Sequence, residues 1–133
     1  MRKKILIIED EESIRLLLEK CFISFKNVGV DVLVASDGLK GLEIAKRERP
    51  ELIFLDIMMP KLNGYDVCEE IKKYPQLQNT HIIFLTAMGQ TIDIEKGMQA
   101  GAKEYIKKPF DIQELIKKTE DILGVKCSWV SNR

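Results

Sequence analysis

The chain has 133 residues, enough for one domain built around one core, and 45% of them are hydrophobic and 32% charged. Lys+Arg and Asp+Glu both number 21, so the formal net charge is +0 and gives no electrostatic case for a nucleic-acid or anionic-membrane partner. No apolar run is long enough to span a bilayer, and Glu9-Asp10-Glu11-Glu12 cuts short the basic-then-apolar start, which therefore does not read as a signal peptide.

In chain order, Lys4 to Ile8 is predicted as strand one and Glu12 to Phe25 as helix one, with Ile14, Leu17, Leu18, Cys21 and Phe22 at helical spacing. Val30 to Ala35 is strand two. Ser36-Asp37-Gly38 is turn and cap chemistry, and helix two then runs to about Arg49, where Pro50 ends it. Leu52 to Asp56 is strand three, an apolar run that closes on one carboxylate. The loop 60–64 carries Asn63-Gly64, a pair suited to positive φ, and helix three covers Tyr65 to Lys73. His81 to Thr86 is strand four. Helix four, near Thr91 to Ala100, is the weakest element, because Gly97 inside it costs about 1 kcal/mol against Ala. Ala102 to Lys107 is strand five. Helix five starts at an Asp111 cap and presents Ile112, Leu115, Ile116, Thr119 and Ile122 as one stripe before Gly124 ends it.

Five strand–helix units in strict alternation imply a parallel sheet covered by helices on both faces. In such folds the ligand crevice lies outside the carboxyl ends of the strands. Strand one ends at Glu9-Asp10, strand three at Asp56, strand four at Thr86 and strand five just before Lys108. Three carboxylates in one crevice repel unless a cation joins them, and oxygen ligands with room for water and phosphate suit Mg²⁺. Lys108 and Thr86 are placed to hold phosphoryl oxygens. The constellation fits phosphoryl transfer to a carboxylate, with Asp56 as the nucleophile.

Ile7-Ile8-Glu9-Asp10, Leu55 through Pro60, Asn63-Gly64, Leu85-Thr86-Ala87, Gly101-Ala102 and Tyr105 through Phe110 together resemble the receiver domain of two-component response regulators, of the single-domain chemotaxis type, over about residues 3 to 123. The resemblance implies a flavodoxin-like (βα)5 sandwich whose five-stranded parallel sheet has the order 2-1-3-4-5. It implies that Asp56 accepts a phosphoryl group from a phosphohistidine on a sensor histidine kinase or phosphotransfer protein. Asp10, Asp56 and the backbone carbonyl of Met58 would bind Mg²⁺ (or Mn²⁺), with Glu9 acting directly or through water. Thr86 and Tyr105 would be the switch pair, Lys108 would contact the phosphoryl group, and the bond to Pro109 would be cis. The output would be a downstream protein bound at helix four, strand five and helix five, with a phosphorylation-linked dimer as an option. The domain would catalyse only its own phosphorylation and dephosphorylation, and would bind neither nucleic acid nor membrane.

The chain departs from the commoner pattern in having Glu9-Asp10 where Asp-Asp is usual. Met58 and Met88, each two residues beyond Asp56 and Thr86, suggest slow self-dephosphorylation. Two rival readings compete. A phosphohydrolase of the haloacid dehalogenase type wants a second carboxylate two residues after its nucleophile, where this chain has Met58. An unphosphorylated interaction module or flavin binder would have no use for Asp10, Asp56, Thr86 and Lys108 together.

Cys21, Cys68 and Cys127 form no metal or disulfide pattern, so reduced thiols and a cytoplasmic setting are expected. His81 reads as ordinary surface at the far edge of the sheet. Residues 1–124 are taken as the domain and 125–133, with Trp129, as a tail or the start of a linker. No helix-turn-helix follows Leu123, so the chain is either a stand-alone regulator or part of a longer one.

Overall fold

The computed structural model describes residues 2–87 and 93–127. Five parallel strands, β1 (Lys3–Ile8), β2 (Val30–Ala35), β3 (Leu52–Asp56), β4 (His81–Thr86) and β5 (Glu104–Lys107), lie in the order β2-β1-β3-β4-β5. Five helices connect and follow them: α1 (Glu12–Cys21), α2 (Gly38–Glu48), α3 (Gly64–Ile71), α4 (Ile94–Ala100) and α5 (Ile112–Leu123). This is the parallel, helix-covered sheet that the alternation implies, in the flavodoxin-like strand order that the resemblance implies.

The central strand β3 is buried along its whole length, as an apolar run without alternation requires. Alternate side chains supply two cores. Leu6, Ile8, Ile53, Leu55, Ile82 and Phe84 pack toward one face, with Val67, Cys68 and Ile71 of α3 and Ala45 of α2. Ile5, Ile7, Leu52, Phe54, Ile83 and Leu85 pack toward the other, with Leu18 and Phe22 and with Leu115, Ile116 and Leu123 of α5. Each large side chain fully buried in this way contributes about 1.5–3 kcal/mol. Helix α4 buries only Gly97 and Ala100, so it draws little from either core, and Ile94 and Met98 face solvent. Among the described residues no helix is long and apolar enough to cross a membrane.

Several boundaries differ from the expected ones. The first α-helix stops at Cys21, and a 3-10 segment, Ile23–Val28, takes Phe25 into the core before Gly29 turns at φ 85°. Helix α2 ends at Glu48, with Arg49 left-handed at φ 51°, because the residue before Pro50 is steered out of the α region. Helix α3 stops at Ile71, and β5 begins only at Glu104. Gly64 does not take positive φ. It is the first residue of α3, and its neighbour explains the glycine, since a Cβ there would lie 2.6 Å from the Asp56 carbonyl oxygen. Positive φ in that loop falls on Lys61 instead. Ile112 is 41% exposed and leaves the α5 stripe, while Leu123 joins it.

His81 is no free surface residue. Its Nε2 lies 3.2 Å from Glu104 Oε2, and Glu104 also accepts from Lys118, so β4, β5 and α5 are tied at the edge remote from the crevice. The chain stays packed beyond α5: Cys127 is buried, and its N–H donates to Glu120 Oε2 at 2.9 Å. Met88, Thr91 and Trp129 lie outside the described residues.

Candidate phosphoacceptor site

Four strand ends bring the crevice together. The Glu9 N–H donates to the Ala35 carbonyl at 3.1 Å, which carries the β1 path one residue further and turns the Glu9 side chain inward to 0% exposure, leaving Asp10 exposed. Asp56 closes β3 at 5% exposure, opposite Leu85 in the register, and Thr86 closes β4 at 2%. The Lys108 N–H donates to the Thr86 carbonyl at 2.8 Å, so the ammonium of Lys108, and not that of exposed Lys107, is delivered to the carboxylates. The Lys108–Pro109 bond is cis.

Lys108 Nζ is 2.7 Å from Glu9 Oε1 and 3.7 Å from Asp56 Oδ1. The other oxygen of Glu9 accepts the Glu11 N–H at 3.0 Å, and the Glu9 carbonyl accepts from Arg15 at 2.9 Å. A fully buried carboxylate is thus paired and hydrogen-bonded, the condition under which burial of a charge is tolerated. Neither Glu11 nor Arg15 carries a sequence signal for this role, since each sits in an ordinary polar stretch of a helix start.

Asp56 is less well served. Burial, then the charge of Glu9, push its carboxyl up to about 8 against the attraction of Lys108, and a hydrogen bond and charge from Asp10 push the same way. Carboxylate oxygens of Glu9, Asp10 and Asp56 lie within 4.8 Å of one another. Such a group of oxygens, short of positive charge and open through Asp10, is suited to a divalent cation with oxygen preference. Met58, two residues after Asp56, is 64% exposed.

Tyr105 lies away from the carboxylates, on the α4 side. Its ring packs 5.4 Å from that of Phe84, and its hydroxyl donates to the carbonyls of Asp93 and Ile94 at 3.1 Å each. Burial pushes its phenol up to about 12, so it remains a donor at neutral pH. Tyr65 is a second aromatic on this side that nothing in the sequence pattern singles out. Its hydroxyl accepts the Asp93 N–H at 2.9 Å.

A flavodoxin-like sheet with an acidic cluster, a buried strand-end aspartate and a lysine at the carboxyl edge is an arrangement positioned for Mg²⁺-dependent phosphoaspartate chemistry. The chain belongs to the response regulator receiver domain family, whose pattern it matches over residues 5–120. It is 44% identical over 122 residues to a probable transcriptional regulator, ycf27, of Porphyridium aerugineum, and 41% identical over 123 residues to the alkaline phosphatase synthesis transcriptional regulatory protein PhoP of Bacillus subtilis. Both matches cover 92% of this chain but 48% and 49% of those proteins, so the chain spans about half the length of the curated relatives it matches. Among solved structures, the receiver domain of the sensor histidine kinase PA1611 from Pseudomonas aeruginosa is 30% identical with a TM-score of 0.78, covering 93% of this chain and 99% of that one. That structure holds a magnesium ion in its active-site cleft. The chemotaxis protein CheY4 of Vibrio cholerae is 26% identical with a TM-score of 0.79, covering 92% and 99%. Receiver domains of this family partner histidine kinases and act as phospho-acceptor modules rather than as independent enzymes.

Proposed function

We propose that Asp56 accepts a phosphoryl group from a phosphohistidine of a sensor kinase or phosphotransfer protein and that the acyl phosphate resets the α4-β5-α5 surface. The observation that carries this reading is the convergence of Glu9, Asp10 and Asp56 within 4.8 Å, with Lys108 as their cation. Asp10, Asp56 and the backbone carbonyl of Met58 would hold Mg²⁺ or Mn²⁺, with Glu9 acting from behind. When bound there, the cation would supply positive charge to the carboxylates and to the equatorial phosphoryl oxygens. The Asp56 carboxylate attacks phosphorus in line, the P–N bond of the donor breaks, and the electron pair leaves with the imidazole. Lys108 exchanges part of its pairing with Glu9 for a phosphoryl oxygen, and Thr86 donates its hydroxyl to another. Tyr105, two positions N-terminal in register to Lys107, follows Thr86.

The likeness to transcriptional regulators lies in the half of those proteins that this chain spans, so it supports the receiver role and not DNA binding. The burial of Cys127 and its bond to Glu120 support counting residues 125–127 with the folded unit rather than with a tail. A downstream protein target is the expected reader of the α4-β5-α5 face. The test uses phosphoramidate, a small P–N donor, followed by intact mass. One phosphoryl group is expected to appear with Mg²⁺ and to be lost when EDTA replaces it. Equal labelling in EDTA would overturn the metal-assisted reading.

A further inference from the structure

The N-terminal end of α4 is gripped from two sides. Asp93, its cap, accepts the Lys96 N–H on its own side chain at 2.9 Å. Its peptide N–H donates to Tyr65 Oη of α3 at 2.9 Å, and its carbonyl accepts from Tyr105 Oη of β5 at 3.1 Å. Both rings lean on the same Phe84, with centroids 5.4 Å away in each case, so Tyr65, Phe84 and Tyr105 form one aromatic block under the helix end. Lys96 closes the outer side, with its ammonium 4.9 Å from the Tyr65 ring centroid.

Gly97 explains how Tyr105 enters this block. A Cβ on Gly97 would sit 1.9 Å from the Tyr105 hydroxyl oxygen and 2.8 Å from the Phe84 ring. The weak point of α4 is therefore a slot for the tyrosine. Tyr65 stands next to Gly64, whose missing Cβ lets the start of α3 lie against the Asp56 carbonyl, and the Gly64 N–H donates to the Ile57 carbonyl at 2.8 Å. The hydroxyl of Tyr65 thus joins the backbone beside Asp56 to the end of α4.

We propose that Tyr65 is a positioning residue of the switch: with Tyr105 it clasps the Asp93 peptide and holds α4 in its resting pose, and the Gly97 slot is what allows the clasp to close. The helix has few buried side chains of its own, so these hydroxyl contacts weigh heavily in where it sits. The role in the switch rests on the phosphoacceptor reading, whereas the clasp itself is tested without phosphate, so its failure and that of the phosphoacceptor reading are separate outcomes.

The experiment is amide hydrogen exchange by NMR on the unphosphorylated, metal-free chain, wild type against Tyr65→Phe and Tyr105→Phe. Each variant removes one hydroxyl and keeps its ring. Tyr65→Phe is expected to speed exchange at Asp93 and Gly97 by about fivefold to tenfold, the loss of one hydrogen bond, with β1 and β3 unchanged. A second readout uses 3-fluorotyrosine at the tyrosines, with ¹⁹F lines assigned by the same variants. Tyr65→Phe is expected to move or broaden the Tyr105 line, and Gly97→Ala, which favours helix, to move it toward the free amino acid. Unchanged exchange at Asp93 and Gly97, an equal rise throughout the sheet, or a Tyr105 line indifferent to Tyr65→Phe would each overturn the clasp.

Discussion

Lys108 is bonded to Glu9 and not to Asp56: its ammonium is 2.7 Å from a Glu9 oxygen and 3.7 Å from the nearer Asp56 oxygen. The extra methylene of Glu9 over Asp lets it reach across the crevice while staying fully buried. The lysine is thereby held ready beside the phosphoacceptor without neutralising it. Because the Glu9 charge is second only to burial in raising Asp56, Glu9→Gln should lower the Asp56 titration toward the ordinary value of 3.8. Carbon-13 NMR of the Asp56 carboxyl in metal-free buffer reads this directly. A midpoint no lower than in wild type would contradict the pairing.

Lys108→Met tests the same pair from its other end. It removes the ammonium and leaves Glu9 buried with, among the described residues, the Glu11 N–H on its carboxylate. Stability in EDTA at pH 7 should fall by about 3 kcal/mol, the range seen when one partner of a buried ion pair is deleted. Urea unfolding measures it, and Mg²⁺ should return part of the loss.

Stability should also depend on pH through Asp56. The folded carboxyl keeps its proton up to about pH 8, whereas the unfolded one releases it near the ordinary value of 3.8. Between those limits the native state binds more protons, so this group makes stability fall as pH rises, by at most about 1.4 kcal/mol per pH unit. Asp56→Asn should therefore be more stable than wild type in EDTA at pH 8, and the difference should shrink toward pH 4. Thermal melts of both at several pH values would show it. Saturating Mg²⁺ should raise the wild-type melting temperature and leave the variant nearly unmoved.

Gly64→Ala is predicted to be costly although alanine favours helix. The new Cβ would meet the Asp56 carbonyl oxygen at 2.6 Å and the Ile57 Cα at 2.7 Å, both backbone atoms that cannot rotate away. A loss of about 1–3 kcal/mol is expected, with slower phosphorylation because the reactive loop must shift. Gly38→Ala should also cost stability, but less: its Cβ would meet a Val67 methyl at 2.7 Å, which can turn, and the Leu62 carbonyl oxygen at 2.9 Å, which cannot.

Strands were the legible part of this chain. The Leu52–Asp56 run, buried throughout, and the His81–Thr86 run, buried from Ile82 onward, have the lengths their apolar residues indicate. Helix ends were less so, because they depend on tertiary contact. Phe25 continues a helical spacing, yet a 3-10 segment carries it inward, and Ile112 keeps the stripe in sequence but faces water. Strand-end logic located Asp10, Asp56, Thr86 and Lys108 at one edge. It did not reveal that Glu9 holds Lys108, that Arg15 braces Glu9, or that Tyr65 holds Asp93, because each of these is a long-range side-chain contact with no period or motif. The sequence places His81 only at a strand edge; its contact with Glu104, which lies opposite Ile83 in the register, is a diagonal side-chain contact that no local pattern marks.

The most direct test of the central claim is intact mass after incubation with acetyl phosphate and Mg²⁺, wild type beside Asp56→Asn. The wild type should gain one phosphoryl group that hydroxylamine releases, as an acyl phosphate requires, and Asp56→Asn should gain none. A hydroxylamine-labile phosphoryl group on the Asp56→Asn chain, or no gain on a folded wild type, would contradict Asp56 as the phosphoacceptor.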